Sequence, residues 1–169
     1  MKLNNTNTSH FTPIGHKLHF ASHITVLLLM LMSLTAYSCS NNQDEDTIKN
    51  SATTFANAYF NNKYAVALHN STAESEKWIR YVAGNLTQED LDRINACEDT
   101  AECTVTGLQQ ISDTAAQATL EVTNAFLPDS IGKAGHMIGK GKVELTLRKR
   151  DGQWSVHLDN VPQILATNK

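Results

Sequence analysis

The sequence has little positive charge and gathers none of it into a cluster. Its 169 residues carry 14 lysines and arginines against 17 acids. Phosphate binding needs focused positive charge, so nucleic acid is excluded as a partner. No apolar run is long enough to span a bilayer comfortably, which takes about 20 residues; the longest, Ile24 to Ala36, falls short. There is no nucleophile motif, no phosphate-cradling glycine loop and no catalytic carboxylate pair. No two of His69, His136 and His157 stand at the spacing of metal ligands, and no cofactor is expected. Each of the three histidines is expected to be solvated at the surface.

What is present begins with an address. Residues 1–23 are polar, with Lys2, Lys17 and several histidines, and the short apolar run that follows fits the core of an export signal. The run ends Leu34-Thr-Ala-Tyr-Ser-Cys39, which resembles a bacterial lipobox, so residues 1–38 read as a signal peptide and Cys39 as the lipidated new N-terminus. Losing Lys2 and Lys17 with the leader leaves 12 basic residues against the same 17 acids, a net charge of −5. Residues 39–46, Ser40-Asn-Asn-Gln-Asp-Glu-Asp46 among them, read as an acidic flexible tether. That composition resembles the export signals of surface-displayed lipoproteins of Gram-negative bacteria and implies anchoring to the outer membrane, with the domain on its inner or its outer face.

Hydrophobic content of 41% and charged content of 18% are ordinary for a folded domain. The length after the leader allows one core. Lipidation of Cys39 leaves Cys97 and Cys103, which an oxidising compartment would join. A bridge over so small a loop contributes about 2 kcal/mol and would pin a helix-to-strand connection.

The first half is helical. Ile48, Ala52, Phe55 and Tyr59 recur at helical spacing, with Ala56 and Phe60 beside them, over about Thr47 to Phe60. Asn61-Asn62 ends that helix, and a short one follows around Tyr64 and Leu68. Ser71-Thr-Ala-Glu74 has the form of a capping box. Behind it Trp78, Ile79 and Val82 form a buried stripe that stops at Gly84. Thr87-Gln-Glu-Asp90 opens a last brief helix through Leu91 and Ile94. Tyr59, Tyr64 and Trp78 read as core aromatics that could line a pocket.

From Cys103 the hydrophobic period changes to two. Residues 104–111 form a strand and Asp113 a turn. Ala116, Ala118, Leu120, Val122 and Phe126 mark the inward face of a longer strand, with Asn124 in phase among them as a candidate pocket residue or a bulge. Gly139 and Gly141 read as bulge or bend positions. Val143, Leu145 and Leu147 then alternate with polar residues, as do Trp154, Val156 and Leu158 after Asp151-Gly152. Asp-Gly favours a type I′ reversal, because both central residues need positive φ. A two-residue loop sets Leu147 against Val156 and Lys149 against Trp154, so the apolar side chains share one face. His157, Ser155, Thr146 and Arg148 fall on the other.

Helices followed by antiparallel strands make an α+β layer. The Tyr59-Phe-Asn-Asn-Lys-Tyr-Ala-Val-Ala-Leu68 helix break and the closing Leu147-Arg-Lys-Arg-Asp-Gly-Gln-Trp-Ser-Val156 hairpin resemble the nuclear transport factor 2-like (cystatin-like) superfamily, in particular its small lipoproteins of unknown function. The resemblance implies a domain over 47–161, with N-terminal helices packed on a strongly curved antiparallel sheet in a cone, and 162–169 as a tail. It also implies a cavity between the layers and a homodimer. Fold does not dictate activity. The preferred expectation is a non-catalytic membrane-anchored domain that binds a protein, glycan or small ligand. The alternatives are a small-molecule carrier or, further off, an isomerase- or dehydratase-like enzyme.

Overall fold

The computed structural model describes residues 38–129 and 133–166, with side chains from Gln43 to Leu165. Residues 1–37, which hold nearly all of the stretch read as a signal peptide over 1–38, and the side chain of Cys39 lie outside the described residues. By packing the chain divides into Met1–Asn42 and Gln43–Lys169. Of the first unit only the helical backbone of residues 38–42 is described.

Among the described residues, four α-helices precede five strands. The helices are α1 (Ser38–Phe60), α2 (Tyr64–His69), α3 (Glu76–Asn85, entered through a 3-10 turn at Ala73–Ser75) and α4 (Gln88–Ala96). The strands are β1 (Glu102–Ser112), β2 (Ala115–Leu127), β3 (His136–Arg150), β4 (Gln153–His157) and β5 (Leu165–Ala166). Strands β1 to β4 lie side by side in chain order, all pairs antiparallel, and β5 pairs with β3 at Gly141 and Lys142.

The hairpin has the register that its turn dictates. Asp151 and Gly152 both take positive φ, 51° and 80°, as a type I′ turn requires. Leu147 pairs with Val156 and Lys149 with Trp154. Trp154, Val156 and Leu158 are buried together with Val143, Leu145 and Leu147. The inward positions of β2, Ala116 through Val122, extend the same apolar face, and the stripe of α1 completes it with Ile48, Ala52, Phe55, Ala56 and Tyr59. Phe55 is wholly buried and its ring stacks on Tyr59 at 5.6 Å.

Helix α1 stops where its sequence says. Asn62 adopts φ 61°, the left-handed residue of a Schellman cap: the Lys63 amide bonds the Ala58 carbonyl at 2.8 Å and the Asn62 amide that of Tyr59 at 3.1 Å. Two asparagines near this end reach sideways to the free edge of β1. Asn57 Oδ1 accepts from the Cys103 amide at 3.0 Å, and Asn61 both accepts from the Ala101 amide and donates to its carbonyl, at 2.9 and 2.8 Å.

Several expectations are corrected. The acidic stretch read as a flexible tether is helical, because α1 already starts at Ser38, and Asp44 within it is bound by Lys149. The Ser71–Glu74 capping box does not form: Ser71 donates back to the Leu68 carbonyl, and Thr72 turns toward β4. The register of β3 against β2 runs unbroken through Gly141, while at Gly139 the pair with Asn124 is missing from the ladder and the register shifts sit in β1, between Val105 and Gly107 and between Gln110 and Ser112. Gly141 is small for another reason, since a Cβ there would run into Ile164 on the way to β5. Cys97 and Cys103 are free thiols. Cys103 takes the first inward position of β1, opposite Val122, and burial pushes its thiol up to about 12. Cys97 follows the last turn of α4 and lines a surface cavity instead.

Candidate functional site

The interior between α1 and the sheet is filled with side chains, and openings remain at its rim. The first lies where α1 ends. Tyr59 and Tyr64 meet edge to face with ring centroids 5.7 Å apart, and with Phe60, Val82, Phe126 and the Val161–Ile164 segment they border a cavity of about 130 Å³. Burial pushes the Tyr59 hydroxyl upward, helped by Tyr64, and pushes Tyr64 up to about 12. Both phenols are therefore protonated near neutrality and serve as hydrogen-bonding groups; Tyr64 donates to Asn62 Oδ1 at 2.9 Å.

The second opening, about 170 Å³, adjoins the first through Phe60 and Phe126, which line both. Asn124 lines this one, with Asn62, Ile94 and Cys97 around it and Lys63 and Asp99 at its exposed lip. Asn124 takes φ 53°, a left-handed conformation that asparagine tolerates better than most residues. This interrupts the alternation of β2, so that Ala125 and Phe126 are both buried while Asn124 is half-buried. The strand thus loses phase at Asn124 and the amide still faces a cavity. Trp78 stays apart from both openings; it is half-buried on α3, with Lys77 Nζ 4.9 Å from its ring centroid. The structure therefore brings Tyr59 and Tyr64 together, sets Asn124 next door and excludes Trp78.

Sequence reasoning missed a buried polar network behind β4. His157, expected at the solvated face, is 6% exposed, a correction whose cause is the 3-10 turn laid over it. Thr72 Oγ1 lies 2.9 Å from His157 Nδ1 and 3.0 Å from Ser75 Oγ, and His157 Nε2 is 3.2 Å from Asp159 Oδ1. Ser75, wholly buried, donates to the Val156 carbonyl at 3.3 Å and accepts from the Leu158 amide at 2.9 Å. The order hydroxyl, imidazole, carboxylate is that of a nucleophile relay, yet the Thr72 and Ser75 hydroxyls are buried and taken by these bonds, which leaves no room for a substrate carbonyl beside them. What the network does is fasten the turn to the sheet. His69 and His136 are exposed. Because Thr72 and His157 are far apart in sequence, no local pattern could have paired them.

Ser75→Ala would strand the Leu158 amide in a dry site, which costs about 1–3 kcal/mol. Hydrogen exchange checks this: the Leu158 amide is expected to exchange markedly faster in the variant, with the β2 amides unchanged. Equal protection would mean that the serine holds nothing there.

Among the described residues, no group of three or more His, Cys, Asp or Glu could hold a metal ion, and no helix is long and apolar enough to cross a membrane. A third opening of about 410 Å³ lies on the outer face of the sheet, between Lys142, Glu144 and Thr146 and the segment from His157 to Leu165.

No protein-family profile matches the chain, and no curated protein matches it. Solved structures similar to it include a nuclear transport factor 2-like protein of unknown function from Shewanella oneidensis, at 14% identity and a TM-score of 0.44, covering 68% of this chain and 97% of that one. A protein of unknown function from Mycobacterium tuberculosis is similar at 13% identity and a TM-score of 0.45, covering 76% of each chain. A nuclear transport factor 2-like protein involved in plasmid conjugation is similar at 12% identity and a TM-score of 0.37, and the match spans 74% of this chain but half of that one. These likenesses are too distant to transfer any role residue by residue.

Proposed function

We propose that the chain is an exported lipoprotein, held on the outer membrane of a Gram-negative bacterium by an acylated Cys39, whose folded part is a non-catalytic binding module. One observation carries the binding reading: the interior is full and the rim is open. Phe55, Leu120 and Leu145 are at most 1% exposed, while Tyr59, Tyr64, Phe60, Phe126 and Asn124 border two adjoining cavities of about 130 and 170 Å³. Cavities of that size, lined by aromatic rings and amides, suit a side chain or sugar projecting from a larger partner. Enclosing a free small molecule takes about 300 Å³ or more, which neither of these two cavities reaches alone, and the opening of about 410 Å³ lies on the outer face of the sheet, away from the cone interior that the carrier reading uses. An isomerase- or dehydratase-like reaction needs an acid-base group inside a wet cavity. The tyrosine cavity offers protonated phenols, and Asp99 and Lys63 stand at the lip of its neighbour.

The anchor is tested by fractionation. Wild-type chain is expected in the membrane fraction, with an N-terminal peptide whose mass carries acyl groups on Cys39. Cys39→Ala is expected to move essentially all of the chain to the soluble fraction. Retention of that variant in the membrane would overturn the anchor.

A further inference from the structure

The end of the sheet that meets Asp44 is fixed by a half-buried ion pair. Lys149 Nζ donates to both carboxylate oxygens of Asp44, at 2.8 and 3.0 Å, and lies 5.6 Å from the Trp154 ring centroid. The pairing holds the Asp44 carboxyl below the ordinary aspartate range, the hydrogen bond from Lys149 being the main cause. The Lys149 amide in turn bonds the Thr114 carbonyl at 2.9 Å. The start of α1, the turn between β1 and β2 and the turn between β3 and β4 are thereby joined at one end of the domain.

Five backbone steps lead from Cys39 to Asp44. Even fully extended they reach no more than about 18 Å, and the headgroup layer uses about 5 Å or more of that. We infer that this two-turn end, with Ile111, Arg148 and the Asp151–Gly152 tip, is a surface that rests on the lipid bilayer. The inference depends on the acylated Cys39 proposed above. The clamp removes the slack that a flexible tether would have supplied and holds this end of the domain close to the surface.

The chemistry of this end suits an uncharged membrane surface. Ile111 is 61% exposed although it lies within β1, an apolar side chain without cover. Lys149 and Arg150 are paired with Asp44 and Glu74, and Asp113 and Asp151 offset Arg148, so no net positive field reaches for anionic lipid. The occupant is therefore a zwitterionic bilayer, met through short range and apolar contact. A polarity for the whole module follows. Helix α1 runs about 24 Å from Asp44 to Phe60 at 1.5 Å per residue, which puts the tyrosine and asparagine cavities on the side away from the membrane, where a partner can reach them.

The test uses the full acylated chain in phosphatidylcholine vesicles, with Cys97→Ser to remove the half-buried thiol. A nitroxide is attached through Ile111→Cys or, at the other end of the same strand, through Glu102→Cys. Accessibility to a water-soluble nickel complex is expected to fall several-fold at position 111 on vesicles, relative to the free Cys39→Ala chain, and to stay the same at position 102. Adding Asp44→Ala is expected to return position 111 toward its free value while the chain remains bound. A bound, acylated chain with position 111 as accessible as in solution would overturn the inference and leave the anchor standing. Loss of vesicle binding with no acyl mass on Cys39 would overturn both. Shelter found in native membranes and missing in phosphatidylcholine vesicles would assign the surface to a protein partner and overturn the inference.

Discussion

Phe55→Ala is expected to remove a large share of the stability of the domain. Its ring is wholly buried at the centre of the α1 stripe, stacked on Tyr59 and facing the inward residues of β2 and β3. Truncating a buried phenylalanine costs about 3–5 kcal/mol, the lost transfer energy plus the cavity left behind. A domain of this size is stable by about 5–15 kcal/mol. Chemical denaturation should therefore show a urea midpoint lower by about 2 M, with an unchanged slope. A midpoint shift of a few tenths would mean that α1 does not fill the concave face, and the filled-interior argument for a rim-binding module would fail with it.

The second large effect is expected at Asp90. This carboxylate is 2% exposed and accepts from the Thr87 amide at 2.9 Å, the Thr87 hydroxyl at 2.8 Å and the Gly135 amide at 2.8 Å, while Thr87 Oγ1 accepts from the Asp90 amide. The box that starts α4 and the strap that leads into β3 thus share one side chain. The same bonds, those from the Thr87 and Gly135 amides above all, hold its carboxyl below the ordinary 3.8. Asp90→Ala leaves buried donors without an acceptor and is expected to cost about 3 kcal/mol. Asp90→Asn keeps the shape, yet turns an NH₂ donor toward donors, so it should recover only part of the loss.

The pH dependence has a definite sign. Because the folded pKa is lowered, the contribution of Asp90 is complete above the unfolded value near 3.9 and vanishes as pH falls through the folded value. Denaturant midpoints measured downward from pH 6 should show wild type losing its advantage over Asp90→Asn in the acid range below about pH 4. A gap that stays constant with pH would show that the charge is not what holds the strap. The strap residue Gly135 has no room to yield, since a Cβ there would press on the Leu127 carbonyl and the Phe126 ring.

What the sequence made legible was whatever is set locally. The β3–β4 register was readable because Asp151-Gly152 and the alternation of Leu145, Leu147, Trp154 and Val156 specify it independently. Thr87 and Asp90 were readable as a helix start because capping is a contact across three residues. The unread features depend on partners far along the chain. His157 sits at a position whose period says outward, and it is buried by Thr72 and Ser75 of a turn no local signal placed there. Residues 165–166 were assigned to a tail, and their strand exists because β3 is longer than β4 and leaves pairing groups free at Gly141 and Lys142. The acidic start of α1 looked like a tether because its stabilising partner, Lys149, is 105 residues away. The same limit applied to the site. Tyr59 and Tyr64 share a helix break and were legible as neighbours, whereas the cavity at Asn124 arises from one left-handed residue that periodicity alone could not place.

The two asparagines laid along β1 bear on how the molecule behaves in a crowd. An open strand edge is a template for fibrils and runaway self-association. Here the side chains of Asn57 and Asn61 occupy the pairing groups of Ala101 and Cys103, and the irregularity after Val105 displaces those that follow. An incoming strand finds the first positions of the edge taken and the next ones out of step, which keeps neighbouring copies from zipping together.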